Sequence, residues 1–234
     1  MLKKTLTYIL TATASALTAG VTSSCGDDGI DGRVEMALTD IVTFEGNTNG
    51  NNATFTLVKV DDTPAITLTA DRPVIIDSDD DKDAPPVRML ISYIPADGIP
   101  YSGGPVRLLS ASRITQAPVA TEWKDEYDSW DAYPVYVYSM WRSGSWINLR
   151  MRITYSDEPR IFCLATDPAT VSSETPDLYL VHVLEKPVNN HDRSYYASFD
   201  ISSVWDLPHV KGVNVHVANS NLHKHIFTFQ KTDL

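Results

Sequence analysis

Trp146-Ile-Asn-Leu-Arg-Met-Arg-Ile-Thr-Tyr155 decides the fold class. Ile147, Leu149, Met151, Ile153 and Tyr155 fall on one side of an extended chain, and Asn148, Arg150, Arg152 and Thr154 on the other. Successive side chains of a strand point to opposite faces, so strict alternation predicts a strand with one face in a core and one toward water. Half-buried strands of this kind belong to antiparallel sheets. Just upstream, Ser143-Gly-Ser145 reads as a hairpin turn after the run Tyr133-Pro-Val-Tyr-Val-Tyr138.

Short apolar or alternating runs continue on both sides, broken by Pro, Gly, Asn and Asp. Downstream they occupy residues 160–165, 178–185, 195–202, 213–217 and 225–230, with Val213, Val215 and Val217 facing in and Asn214 and His216 out. Upstream they occupy 54–60, 65–69, 72–77, 87–94 and 106–114. Helical periodicity is nearly absent; residues 117–129 are too polar and Pro-broken to form a regular helix. The chain is therefore all-β. Five short strands suit a small OB-like barrel, and seven suit an immunoglobulin-like β-sandwich. The expected division is 1–24 signal peptide, 25–53 tether, 54–120 OB-like barrel and 121–234 β-sandwich, with the join between Ala117 and Ala132. A single large barrel is the rival architecture.

The N-terminus carries an export signal. Lys3 and Lys4 give a positive start, residues 6–19 are uncharged, and small residues lead to Cys25. The uncharged stretch is too short and too rich in Thr to span a bilayer. Val21-Thr-Ser-Ser-Cys25 resembles a lipobox, with Thr22 where a Leu or Val is usual. Gly26-Asp-Asp-Gly-Ile-Asp-Gly32 then resembles the acidic signal that sends Bacteroidetes lipoproteins to the outer face of the outer membrane. The expectation is lipidation at Cys25 and a lipid-anchored protein of the cell surface. The competing reading is a plain secretory signal cleaved at residues 19–24.

The two halves together resemble the NigD-like lipoproteins of Bacteroidetes. The matching stretches are Arg72-Pro-Val-Ile-Ile-Asp-Ser-Asp79, Val87-Arg-Met-Leu-Ile-Ser-Tyr93, Trp141-Arg-Ser-Gly-Ser-Trp-Ile-Asn-Leu149, Leu178-Tyr-Leu-Val-His182 and Ser198-Phe-Asp-Ile-Ser202. The resemblance implies an N-terminal OB domain followed by a C-terminal β-sandwich. It implies no chemistry and no catalytic residues; the family name, from a bacteriocin locus, suggests an immunity-like protective role as an alternative.

Composition narrows the partners. The 234 residues include 43% hydrophobic and 21% charged ones, ordinary for a chain that buries a core. Net charge is −11; cleavage before Cys25 removes Lys3 and Lys4 and no acid, leaving 17 basic against 30 acidic residues, or −13. Such a surface repels phosphate backbones, so nucleic acid is not an expected partner. The expected partners are the membrane, through Cys25, and a glycan or protein ligand in an interdomain groove.

Few motifs carry chemistry. Asp77-Ser-Asp-Asp-Asp-Lys-Asp83 places acids as a calcium loop begins, but Lys82 stands where Gly is needed and Arg88 where the closing acid is needed; it reads as a solvated loop. His223-Lys-His225 has a spacing that can hold zinc or copper, without a third ligand; it reads as exposed strand histidines. His182 reads as a core histidine, and His191 beside Asp192 as a turn cap. Cys163 reads as a small apolar strand residue rather than a reactive thiol. Trp123, Trp130, Trp141 and Trp146 gather near the join and fit either a glycan-stacking surface or interdomain packing. No G-x-S-x-G, H-E-x-x-H, phosphate loop or G-x-G-x-x-G occurs, so the expectation is a binding module without catalysis, cofactor or metal.

Overall fold

Thirteen strands form among the described residues, 36–48, 51–76, 86–155, 160–185 and 191–231 of a computed structural model. Cys25, the leader, the acidic Gly26–Gly32 run and the Asp77–Asp83 run lie outside those residues.

The first five strands close a barrel. They are β1 (Leu38–Thr48), β2 (Asn52–Leu57), β3 (Ile66–Ala70), β4 (Val87–Pro95) and β5 (Gly104–Arg113), bonded in the order β1-β2-β3-β5-β4. β1 serves two neighbours, pairing with β4 from Leu38 to Phe44 and with β2 from Thr43 to Thr48. Such a strand must bend, and a register shift between Phe44 and Gly46 supplies the bend. Gly46 sits at φ +121°, where a side chain would be strained. Val42, Phe55, Leu57, Leu68, Ile91 and Tyr93 fill the interior.

This is the expected barrel with different limits. β1 comes from a stretch assigned to the 25–53 tether, so the barrel begins at Leu38 rather than 54. The run Arg72-Pro-Val-Ile-Ile-Asp77 gives no strand over its described residues; Pro73 cannot donate to a ladder, and Ile75 is 89% exposed. The barrel ends at Arg113, and β6 (Thr115–Pro118) already belongs to the next layer, so the join lies before Ala117 and not between 117 and 132.

The remaining strands are β7 (Tyr136–Ser143), β8 (Trp146–Thr154), β9 (Arg160–Thr166), β10 (Asp177–Leu184), β11 (Asp192–Asp200), β12 (Gly212–His216) and β13 (Ile226–Gln230). They form a sandwich of two four-stranded sheets, β6-β11-β8-β7 and β13-β12-β10-β9. The seven expected runs are all present; β6 is the eighth. Each sheet holds one parallel pair, β6 with β11 and β10 with β12. Ser143 pairs with Trp146 across the Gly144–Ser145 turn, with Gly144 at φ +56°. Ile147, Leu149, Met151 and Ile153 are buried between the sheets with Val213, Val215 and Val217, as the alternation required. Burying each such side chain stabilises the fold by about 1.5–3 kcal/mol.

The other face of β8 departs from expectation at one residue. Asn148 is fully buried, because the barrel covers that end of the sheet. Arg88 of β4 reaches across: Nη2 donates to Asn148 Oδ1 at 2.9 Å, Nε to Ser198 Oγ at 3.4 Å and Nη1 to Thr43 Oγ1 at 2.7 Å. Its guanidinium also lies 5.0 Å from the Trp146 ring centre. Burial lowers the Arg88 pKa to about 10, which leaves the group charged at neutral pH. A second crossing pairs Arg142 of β7 with the β2–β3 loop. Asp62 receives two 2.8 Å bonds from its guanidinium, and the Asp61 amide donates to the Arg142 carbonyl at 2.7 Å.

Candidate ligand-binding site

The segment between β6 and β7 crosses the outer face of the β13-β12-β10-β9 sheet. Ala120 fixes its start, donating to the Leu164 carbonyl and accepting from the Thr166 amide, both at 2.8 Å. A single 3-10 turn, Asp125–Ser129, then drives Tyr127 into a small apolar patch with Ala165 and Val181. Burial, aided by a hydrogen bond with Cys163, pushes the Tyr127 phenol up to about 12. Burial also raises the Cys163 thiol, consistent with a packing residue rather than a nucleophile.

Trp123 and Trp130 flank that anchor. Asp177-Leu-Tyr-Leu180 on β10 alternates, which sends Leu178 and Leu180 into the core and Tyr179 outward beneath the two indoles. Ring centres of Trp123 and Trp130 lie 5.5 and 5.0 Å from Tyr179, at 84° and 69° to it. These rings wall an open cleft of about 380 Å³, completed by Asp128, Asp167 and Pro168. Asp128 accepts the Trp123 indole N–H at 2.8 Å, which fixes that wall. The Asp167 carboxylate accepts the Ala169 amide at 2.8 Å. His216 stacks on Tyr179 at 4.4 Å and 16°, and is held by Asp177 at 2.9 Å. Burial, then the charges of Asp177 and Asp167, raises the Tyr179 pKa, so the phenol remains neutral.

The expected interdomain groove also exists. It holds about 530 Å³ and is lined by Val60, Asp61, Met140, Trp141, Arg142, Thr228, Phe229 and Gln230. Its charged groups bind each other: Arg142 is fully buried, bonded to Asp62 and 3.5 Å from Asp61. The four tryptophans thus separate into three settings. Trp123 and Trp130 line the cleft, Trp141 lines the groove, and Trp146 packs under Arg88.

The histidines sit elsewhere than a metal site needs. His223 and His225 precede β13 rather than sharing a strand face, and His225 Nδ1 contacts Asn219 Nδ2 at 3.2 Å. Among the described residues no group of three metal-binding side chains forms. His191 stacks on Tyr155 at 4.8 Å and its carbonyl accepts the Tyr155 amide at the end of the β8–β11 pair; the turn it was expected to cap lies outside the described residues. His182 is buried, with Nδ1 2.9 Å from the Tyr133 carbonyl and Nε2 without a partner. The cleft's carboxylates and Tyr179 carry no signal in the sequence. The alternation of β10 places Tyr179 outward, but nothing local places it under residues more than forty positions away.

Solved structures share this arrangement. A NigD-like immunity protein from Bacteroides caccae matches with a TM-score of 0.57 at 13% identity, covering 82% of this chain and 91% of its own. The fold is NigD-like. A Bacteroides vulgatus protein of unknown function matches with a TM-score of 0.64 at 16% identity, over 84% of this chain and 92% of that one. A candidate lipoprotein from Bacteroides fragilis matches with a TM-score of 0.54 at 13% identity, over 83% and 96%. No family model and no curated protein matches the sequence. At these identities the likeness establishes the fold alone, and the closed barrel followed by two four-stranded sheets bears out the barrel-plus-sandwich expectation.

Proposed function

We propose that this NigD-like chain is a non-catalytic capture protein, held by lipid on Cys25 at the outer face of the outer membrane, that binds a glycan in the Trp123–Trp130 cleft. One observation carries the reading: three aromatic rings and two carboxylates wall one open cleft of ligand size. Indole faces pack on the apolar face of a sugar ring, while carboxylates accept its hydroxyls. Two rings near-perpendicular to a third cannot form one flat platform, so the cleft suits a chain end or a single sugar unit. The leader and the B. fragilis lipoprotein with this fold support the anchor.

Two experiments test this. Titration calorimetry against a broad glycan panel should give binding that Trp130→Ala abolishes, with no sugar released on long incubation. A blank panel, or release that stops on substitution of one acid, would sink the capture reading. Labelling cells with an alkyne fatty acid should mark the wild type and not Cys25→Ala, and surface protease should remove the wild type from intact cells. Full protection from the protease would place the protein inside the envelope.

The B. caccae immunity protein with this fold favours one second reading, protection against a bacteriocin. It predicts that deletion sensitises cells to a neighbour's toxin while Trp130→Ala still protects.

A further inference from the structure

The acids of the cleft say more than its rings do. Resting on the proposal that the cleft binds a glycan, we infer that the bound sugar carries a protonated amino group. Hydroxyls alone are served by neutral amides as well as by carboxylates; a pair of carboxylates beside aromatic faces is the arrangement that selects a cation. Both elements are present. Asp128 and Asp167 line the cleft, and the rings of Trp123, Trp130 and Tyr179 supply electron-rich faces. Among the described residues no basic side chain lines it. The segment that builds its rim, residues 119–134, holds Glu122, Asp125, Glu126, Asp128 and Asp131 against a single basic residue, Lys124. The Lys124 ammonium is directed over the Tyr127 ring, 5.8 Å from its centre, and is absent from the cleft lining. His216 lies behind Tyr179, outside the cleft lining, with Nε2 on the Asp177 carboxylate.

A neutral or anionic sugar would leave two carboxylates facing it with their charge unanswered. An ammonium on the sugar satisfies them and meets the rings at once. Specificity then follows from charge, and the same cleft rejects uronic and sialic acids.

The test uses the purified full chain and two matched ligands, glucosamine hexamer and N-acetylglucosamine hexamer, which differ in the charge of one substituent on each sugar. Calorimetry at low salt should show the amine form binding at least about tenfold more tightly, a difference that shrinks at high salt. Asp167→Asn and Asp128→Asn keep the shape, and the amide oxygen that the second introduces can still accept the Trp123 indole. Each should erase most of the preference, and circular dichroism should confirm that both fold. Equal binding of the two hexamers overturns the charge inference and leaves glycan capture standing. Binding of neither hexamer, with a neutral glycan bound elsewhere in the panel, overturns it likewise. If a lysine peptide or tetramethylammonium binds more tightly than the glucosamine hexamer, the cleft is a cation site that does not read sugar, and the glycan part fails.

Discussion

Arg142 is fully buried, and its partners are unequal. Asp62 holds it with two 2.8 Å bonds, Asp61 stands at 3.5 Å, and the Trp205 ring lies 4.5 Å away. Truncating the arginine frees two half-exposed carboxylates into water, whereas removing the Asp62 charge strands a guanidinium in the interior. Asp62→Asn is expected to cost about 1–2 kcal/mol, at the low end for a charged hydrogen bond because the carboxylate is half in solvent. The pH sign is fixed by direction. The Arg142 hydrogen bond holds the Asp62 pKa below its usual 3.8, so the folded state binds fewer protons than the unfolded one near pH 4. The stabilisation is present above that pH and is lost as pH falls through the folded value. Thermal melts of wild type and Asp62→Asn should differ at neutral pH and converge in strong acid. His182 gives the same sign in another window. Burial keeps it neutral in the fold, so the unfolded chain takes up its proton first, starting near pH 6.5. Wild type should lose stability below that pH by more than His182→Leu does, read as the difference between their melting curves.

β13 depends on a residue with no side chain. A Cβ at Gly212 would lie 2.5 Å from the Phe229 carbonyl oxygen and 3.1 Å from the Gln230 Cα, both backbone atoms that cannot swing away. Gly212→Ala should push β13 off β12 at a cost of about 1–3 kcal/mol, and hydrogen exchange should rise at residues 226–230 before it rises in β10. An unchanged exchange pattern would show that the edge yields without detaching. Nothing in the sequence marks Gly212, because its constraint comes from a neighbouring strand's backbone. The same distinction separates what is readable in the sequence from what is not. β8 and β12 are legible because alternation is a local property that burial enforces at every second residue. β1 is not, because Thr39-Asp-Ile-Val-Thr-Phe44 has a weak pattern and its pairing with both β4 and β2 is set by closure of the barrel. The 72–77 run misleads in the opposite sense, its described apolar residues lying outside any ladder. The tryptophans read as a cluster, but two of them need Tyr179, placed by β10 topology, to become a cleft.

At the scale of the molecule, the barrel and the sandwich have separate apolar cores among the described residues, and two arginines bridge them. Arg88 leaves the barrel and ends among Asn148, Ser198 and Trp146 of the sandwich; Asp62 leaves the barrel and ends on Arg142. β6 continues the barrel's last strand directly into the β11 edge, with the Gln116 side chain bonded to the Arg88 amide and the Pro86 carbonyl. These contacts couple the two cores, so one thermal transition is expected for the wild type. Arg88→Met is the discriminating variant. It keeps apolar length against Trp146 but removes the donors to Thr43, Ser198 and Asn148. The polar partners on the sandwich side are not orphaned, since Ser198 donates to Asn148 at 2.6 Å and Asn148 to Ser143 at 2.7 Å. Each core therefore stays intact while the tie between them weakens. Calorimetry should resolve the single peak into two, with the barrel and sandwich melting apart, and Asp62→Asn added to Arg88→Met should widen the gap. A single peak that merely moves to lower temperature would mean that the β6 connection alone enforces cooperativity. That outcome would make the two arginines sources of stability and β6 the element that makes this chain one body.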